Sequence, residues 1–244
     1  MLNYIKYLLK RNISLNSQVL KIKFYLGIGV EPEAKYVLKN FKLKFSVDIG
    51  SNSGHFTNVL SKISQKVYSF EPIKYLYKSQ KKIFKNKNVK VFNYALGEKK
   101  ITKKFYIPRN NDPESSFVIK KKNSDEILIN ILPADILLKN YNIDFIKIDV
   151  EGYEGKVVKG LKNLIKKNKT VFLIEIEKRH NKNYIQIFDF FIKKNYEIYY
   201  LNKKNKKLTL LNKKDIKFFI NKNQKLNYLG NEKYINNFFF KHKN

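Results

Sequence analysis

The sequence predicts an α/β fold: a mostly parallel β-sheet with helices on both faces, closed by an antiparallel hairpin. Three observations point there. From residue 45 onward, short apolar runs alternate with segments of helical spacing, the pattern of repeated β-α-β units. The runs are nearly continuous in apolar residues, as in TVFLIEIE, which fits strands buried on both faces. The first run ends in Asp and two closely spaced glycines, VDIGSNSG. There a strand gives way to a tight turn whose amides face a ligand.

Taken in order, residues 1–26 read as a helix, with Leu2, Ile5, Leu8 and Leu9 at spacings of three and four. Such a helix caps the domain or lies on a membrane surface, and capping is its commoner use. FSVDI is a strand, HFTNVLSKI a helix, KVYSFEP a strand stopped by Pro72, IKYLYKSQKKIF a helix and NVKVFNYAL a strand. Residues 101–132 read as strand pairs around the turn-rich PRNNDPESS. PADILLKNY is a helix, DFIKIDV a strand, GKVVKGLKNLIKK a helix, TVFLIEIE a strand and NYIQIFDFFIKKN a helix. YEIYYLN and KLTLL, on either side of KKNKK, form the closing hairpin with antiparallel edge strands.

Composition narrows the function. The 244 residues hold 51 Lys+Arg against 20 Asp+Glu, a net charge of +31. That balance invites a nucleic-acid reading. The only arginines, however, are Arg11, Arg109 and Arg179, and nucleic-acid readers favour Arg for its planar fork. Lys, Asn, Ile, Phe and Tyr abound while Ala and Trp are scarce or absent, so AT-rich codon usage accounts for most of the lysine. The absence of cysteine excludes disulfides, thiolate metal sites and a Cys nucleophile. No apolar run approaches the roughly 20 residues that span a bilayer, and MLNYIKYLLKRN is charged too early for a signal peptide. The expectation is a cytoplasmic protein, with peripheral membrane contact left open. Against the basic background, Asp144, Asp149, Glu151 and Glu154 cluster within eleven residues.

In VDIGSNSGHF, Asp48 closes a strand, Gly50 allows a sharp turn and Gly54 opens a helix. The motif is neither GxGxxG nor a phosphate loop. An acid at its head suits a zwitterionic, cationic ligand whose ammonium group Asp48 holds. Glu71 ends the next strand, where an acid commonly takes ribose hydroxyls.

VDIGSNSGHFT, FEP, NYALGE, IDFIKIDVEGYEGKVVKGLK and FLIEIE, in that order over residues 31–211, resemble the FkbM family of S-adenosylmethionine-dependent methyltransferases. The resemblance implies a Rossmann-like class I methyltransferase domain at 31–211, with a seven-stranded sheet. A helical segment (1–30) precedes it and a basic, aromatic tail (212–244) follows. It implies methyl transfer to hydroxyls of sugars, lipid-linked glycans or polyketides. Asp48, Gly50, Asn52 and Gly54 would then line the methionine part of the cofactor, Glu71 its ribose, and Asn93 and Ala95 the neighbourhood of the adenine. Ser51 replaces the family's usual Ala, and Glu177 stands where a His is common, with His180 three residues on. Ser115 and Ser116 match a family serine pair at the active-site rim.

FIKIDVEGYEG carries the chemistry. Lys147 and Asp149 share one face of their strand, and both are costly in a buried strand unless they serve the cleft. Asp149, Glu151 or His180 could take the proton of an acceptor hydroxyl, with Lys147 beside them. Asp149, Glu151 and Glu175 could instead hold a divalent cation; the metal-independent route is favoured. His55, opening the first helix, could sit over the cofactor. The leading expectation is an O-methyltransferase acting on a glycan or related metabolite. The alternative is a nucleic-acid or polyanion binder, or an RNA methyltransferase, on the same fold, although no RNA-binding module is visible. Basic, aromatic ends also allow contact with anionic lipid. Acceptor identity and oligomeric state stay open.

Overall fold

The computed structural model describes residues 11–108, 124–167, 169–229 and 231–243. Ten residues of the expected N-terminal helix, most of the turn-rich loop, and Arg109, Ser115 and Ser116 lie outside the described residues.

Helix α1 (Ile13–Leu26) starts at Asn12, whose side chain accepts the Leu15 amide, and stops at the left-handed Gly27. Helix α2 spans Pro32–Asn40. The core alternates β1 (Leu43–Ile49), α3 (His55–Ile63), β2 (Ser64–Phe70), α4 (Lys74–Ile83) and β3 (Val89–Phe92). Strands β4 (Ala95–Gly97), β5 (Ile101–Pro108) and β6 (Ser124–Pro133) follow, then α5 (Ala134–Leu138). Next come β7 (Phe145–Ile148), α6 (Glu154–Gly160), α7 (Lys162–Lys167), β8 (Val171–Glu175) and α8 (Tyr184–Ile192). The chain closes with β9 (Tyr196–Asn202), β10 (Lys207–Leu210), α9 (Ile216–Asn223) and β11 (Asn237–His242).

The main sheet has the order β10-β9-β11-β8-β7-β1-β2-β3. Strands β3, β2, β1, β7 and β8 run parallel, as expected of β-α-β units. Strand β11 is antiparallel to both β8 and β9, and β10 pairs antiparallel with β9 as the expected hairpin. Seven strands thus follow the Rossmann-like methyltransferase order, and β10 adds an eighth at the edge. Helices cover both faces. Val157, Leu161, Ile187 and Phe188 pack on one side with Ile146, Ile148 and Phe172. Ala34, Val37, Val59 and Leu60 pack on the other with Phe145, Leu173 and Phe239.

Three local expectations shift. NVKVFNYAL is not one strand. It divides at Asn93, whose amide donates to the carbonyls of Glu71 (2.9 Å) and Pro72 (2.8 Å), and its second half joins a separate sheet of order β4-β6-β5. GKVVKGLKNLIKK divides at Leu161 into α6 and α7, where the Asp135 carboxylate accepts the amides of Asn163 and Leu164 and starts a new turn. The C-terminal segment supplies an interior strand, with Phe238, Phe239 and Phe240 fully buried. FFF shows no alternation because both faces of β11 are covered.

Candidate active site

The glycine loop is locked by backbone hydrogen bonds. The amides of Gly50 and Ser51 both donate to the Phe70 carbonyl, at 3.0 and 3.2 Å. Gly50 has φ +79°, and a Cβ there would stand 1.8 Å from the carbonyl oxygen of Asp149. Only glycine lets the ends of β1 and β7 come this close. Gly54 answers a different need: a Cβ would sit 3.0 Å from Phe84 and 3.2 Å from Gln80, so its glycine permits helix packing. Beneath the loop, the Ser69 hydroxyl donates to Gln80 (2.8 Å), and the Gln80 amide donates to Ser51 Oγ (2.8 Å) and to the Asn52 carbonyl (2.7 Å). The hydroxyl of Ser51, in place of the family's Ala, is part of this network.

Glu71 joins the loop to the end of β2. Its carboxylate accepts the amides of Asn52 and Ile73, each at 2.7 Å. Burial pushes its pKa up to about 8, against the pull of those two N–H groups. Asp48 is buried and accepts the Thr57 hydroxyl at 2.6 Å. Burial lifts it to about 6, with Thr57 and Lys147 opposing the rise.

Sheet register aligns the charges. Asp48 on β1 lies opposite Lys147 on β7, and Glu175 at the end of β8 lies opposite Asn237 on β11. Lys147 is 2 % exposed. Its ammonium donates to Asn237 Oδ1 at 2.9 Å and stands 3.6 Å from Asp149 and 3.9 Å from Glu175. Burial alone would lower its pKa; Asp149, Glu175, Glu31 and Asp48 outweigh it and keep the ammonium charged. Glu175 is raised well above the usual range, first by burial and then by Asp149, with Lys147 opposing. Asn236 donates to Glu175 (2.6 Å) and Glu177 (2.8 Å). The C-terminal segment therefore completes this cluster.

Glu151 adopts φ +49°, a backbone state rarely found outside glycine and concentrated at functional sites. It meets His180 Nδ1 at 2.8 Å. Burial would lower the His180 pKa, but the hydrogen bond and charge of Glu151 raise it. Burial raises Glu151. Glu154 accepts the Gly152 amide at 2.7 Å and the Asn181 amide at 3.2 Å, and so stabilises the turn that carries Glu151.

Two adjoining cavities open at the C-terminal edge of the sheet, where open α/β sheets bind ligands. The larger, about 830 Å³, is lined by Gly50, Asn52, Glu71, Ala95, Asp149, Glu151, Glu175 and residues of α1. The smaller, about 190 Å³, is lined by Asp48, Gly50, Lys147 and Asp149. They share Glu31, Gly50, Asn52, Ser53, His55 and Asp149.

Of the expected cofactor residues, Asp48, Gly50, Asn52, Glu71 and Ala95 line one or both cavities. Gly54 and Asn93 line neither: Gly54 packs helices and Asn93 fixes the turn after β2. Tyr94 lines the wall beside Ala95 instead. Of the expected catalytic residues, Asp149, Glu151 and Lys147 line the cavities, while His180 stands behind Glu151. Sequence reasoning missed Glu31, Asn236 and Asn237. Glu31 precedes Pro32 at the start of the expected domain, away from the motifs, and burial raises its carboxyl against the pull of Lys147. Asn236 and Asn237 were hidden in an Asn-rich tail.

The sequence from 48 to 198 matches the model of the methyltransferase FkbM domain. The chain belongs to the FkbM methyltransferase family. Among solved structures, it is similar to the methyltransferase FkbM from Methylobacillus flagellatus, at 19 % identity and a TM-score of 0.47. That match covers 77 % of this chain and 50 % of the other, so this chain spans half the length of that relative. It is also similar to an rRNA methylase from Streptococcus thermophilus (11 % identity, TM-score 0.46, covering 86 % and 95 % of the two chains). A Streptococcus mutans protein in complex with SAH is similar at 12 % identity and a TM-score of 0.45, covering 86 % and 94 %. A comparison with curated proteins finds no match.

Membership of this family implies S-adenosylmethionine as methyl donor. The site fits such a group. Carboxylates of Glu31, Asp149, Glu151 and Glu175 line the larger cavity, which suits a cationic sulfonium and ammonium in an otherwise basic protein. Glu71 lines the larger cavity with its carboxylate fixed by two backbone amides, so it can meet ribose hydroxyls there. His55 Nδ1 is buried without a hydrogen-bond partner among the described residues, and His55 borders both cavities. The larger volume lies in the range of roughly 300–1,000 Å³ common to cofactor sites. Among the described residues, no group of three or more acidic or His side chains is arranged to hold a metal ion.

Proposed function

We propose that this FkbM methyltransferase transfers the methyl group of S-adenosylmethionine to a hydroxyl of a glycan or related metabolite. The observation that carries this reading is the cluster of Asp149, Glu151, Lys147 and Glu175 around the two adjoining cavities, with Asp149 lining both. When bound, the cofactor supplies an electrophilic methyl on a sulfonium. Glu71, with the Asn52 segment it holds, positions the ribose end; Asp48 and the turn at Gly50 position the methionine end. Asp149, 29 % exposed at its side chain and 3.6 Å from the Lys147 ammonium, accepts the proton of the attacking hydroxyl. Lys147 keeps that carboxylate oriented through its fixed bond to Asn237. Glu151, held by His180, faces the same cavity and orients the acceptor by hydrogen bonding. Once the partners are aligned, much of the acceleration comes from positioning.

The acidic lining speaks against a polyanionic acceptor seated in the cavity, because carboxylates outnumber the cations there and phosphates would meet like charge. The test is transfer of labelled methyl groups to hydroxyl-bearing acceptors and to RNA, using wild type and Asp149→Asn. The expected outcome is label in an alkali-stable ether. Asp149→Asn should lower kcat by about 10²–10⁴, well beyond any loss of cofactor affinity. Label on RNA, on an amine or in an ester would contradict the proposal.

A further inference from the structure

Helix α1 is apolar on two opposite sides. Its inner side, with Leu20 and Phe24, packs on Ile83 and Phe84. Its outer side carries Leu15, Val19, Ile22 and Leu26, spaced four, three and four apart, so they form one stripe. All four are exposed, Ile22 by 59 % and Leu26 by 60 %. Tyr25 and Ile28 extend the patch at 91 % and 51 %. A solvent-facing helix normally turns polar residues outward, and among the described residues nothing covers this stripe.

Charge selects the partner. Lys21 and Lys23 flank the stripe on its two sides. Lys21 and Lys62 lie close enough to Lys87 to add to the burial that lowers its pKa. None of Lys21, Lys23 and Lys62 pairs with a carboxylate among the described residues. Two copies facing each other through this stripe would bring these lysines together, each copy carrying +31. An apolar stripe edged by uncompensated lysines matches the interface of an anionic bilayer, where the apolar side enters the acyl boundary and the lysines meet phosphates.

We infer that the outer stripe of α1 docks the protein onto an anionic lipid surface. Leu15, Val19 and Lys23 of the same helix also line the larger cavity, so docking brings the mouth of that cavity to the membrane and favours an acceptor borne by a lipid. The test of docking stands apart from the methyl-transfer reading: it substitutes Ile22 and Leu26, which line neither cavity, and is read by binding alone.

The test is flotation of the full chain with vesicles of phosphatidylcholine, with and without phosphatidylglycerol. Wild type is compared with Ile22→Ser/Leu26→Ser, which keeps the net charge and touches no cavity residue. Wild type should float with the anionic vesicles only, and less so as salt rises. The double variant should partition about tenfold or more weakly, with unchanged circular dichroism and cofactor affinity. Three results would overturn the inference. One is no flotation of wild type. Another is equal flotation of both proteins, which would mean adsorption through basic surface elsewhere. The third is a concentration-dependent dimer in sedimentation velocity that the double variant abolishes.

Discussion

Glu71 shows how one buried side chain couples cofactor chemistry to stability. It is 3 % exposed, its carboxylate is fixed by two backbone amides, and burial still raises its pKa from 4.5 to about 8. A folded-state pKa raised above the unfolded value gives stability that is fully present below pH 4.5 and is lost as pH rises through 8. Asp48, raised from 3.8 to about 6, acts in the same direction over a lower window. The ligand-free protein should therefore lose stability from pH 4.5 to pH 8, and Glu71→Gln should flatten the upper part of that slope. Denaturant midpoints measured across this range check it; an unchanged slope in the variant would contradict the assignment. At this scale the sequence was legible where chemistry and backbone need coincide. Asp48, Gly50 and Glu71 sit at strand ends and line the cavities. Gly54 and Asn93 line neither cavity; Gly54 makes room for helix packing and Asn93 fixes the turn after β2. The sequence was silent on Asn236 and Asn237, because a polar pair in an Asn-rich chain carries no signal until a strand brings it beside Lys147.

Strand β11 decides whether the site is complete. It enters the sheet between β8 and β9, places Asn237 against Lys147, and fills the core on both faces with Phe238, Phe239 and Phe240. Phe239 packs against Tyr36 at a ring separation of 5.6 Å and joins α2 and α3 to the sheet. Phe239→Ala should destabilise the fold by about 3–5 kcal/mol through the lost burial and the cavity left behind, read as a shift in the denaturant midpoint. A change below about 1 kcal/mol would mean that the strand is dispensable. The parallel strands and their helices were readable because each β-α-β unit closes locally. The insertion of β11 was not. Its partners lie about sixty and forty residues upstream in the register, and the choice between an edge and an interior place is made by packing. The split of NVKVFNYAL had the same cause, since Asn93 bonds to a turn reached only after β2 is laid down.

At the scale of the whole molecule, charge is divided by location. The surface carries most of a +31 excess, while Glu31, Asp149, Glu151 and Glu175 line the site. Basic flanks were evident from the sequence, with nine basic and two acidic residues before residue 45 and twelve basic and two acidic after residue 200. The acid cluster after the fourth parallel strand of the core was equally evident. Their separation into outside and inside was not, because it depends on the register that sets Asp48, Lys147 and Glu175 on one face. None of the described helices is long and apolar enough to cross a membrane.

The most direct measurement is calorimetric titration of the protein with S-adenosylmethionine, wild type beside Asp48→Ala and Glu71→Ala. An acid-lined, glycine-turned cofactor site should give binding with a Kd on the order of micromolar, weakened at least about tenfold in each variant. That binding should be nearly indifferent to salt, because the contacts lie within the cavity. A folded wild-type protein that binds no S-adenosylmethionine, or variants that bind it as well as wild type does, would contradict the account.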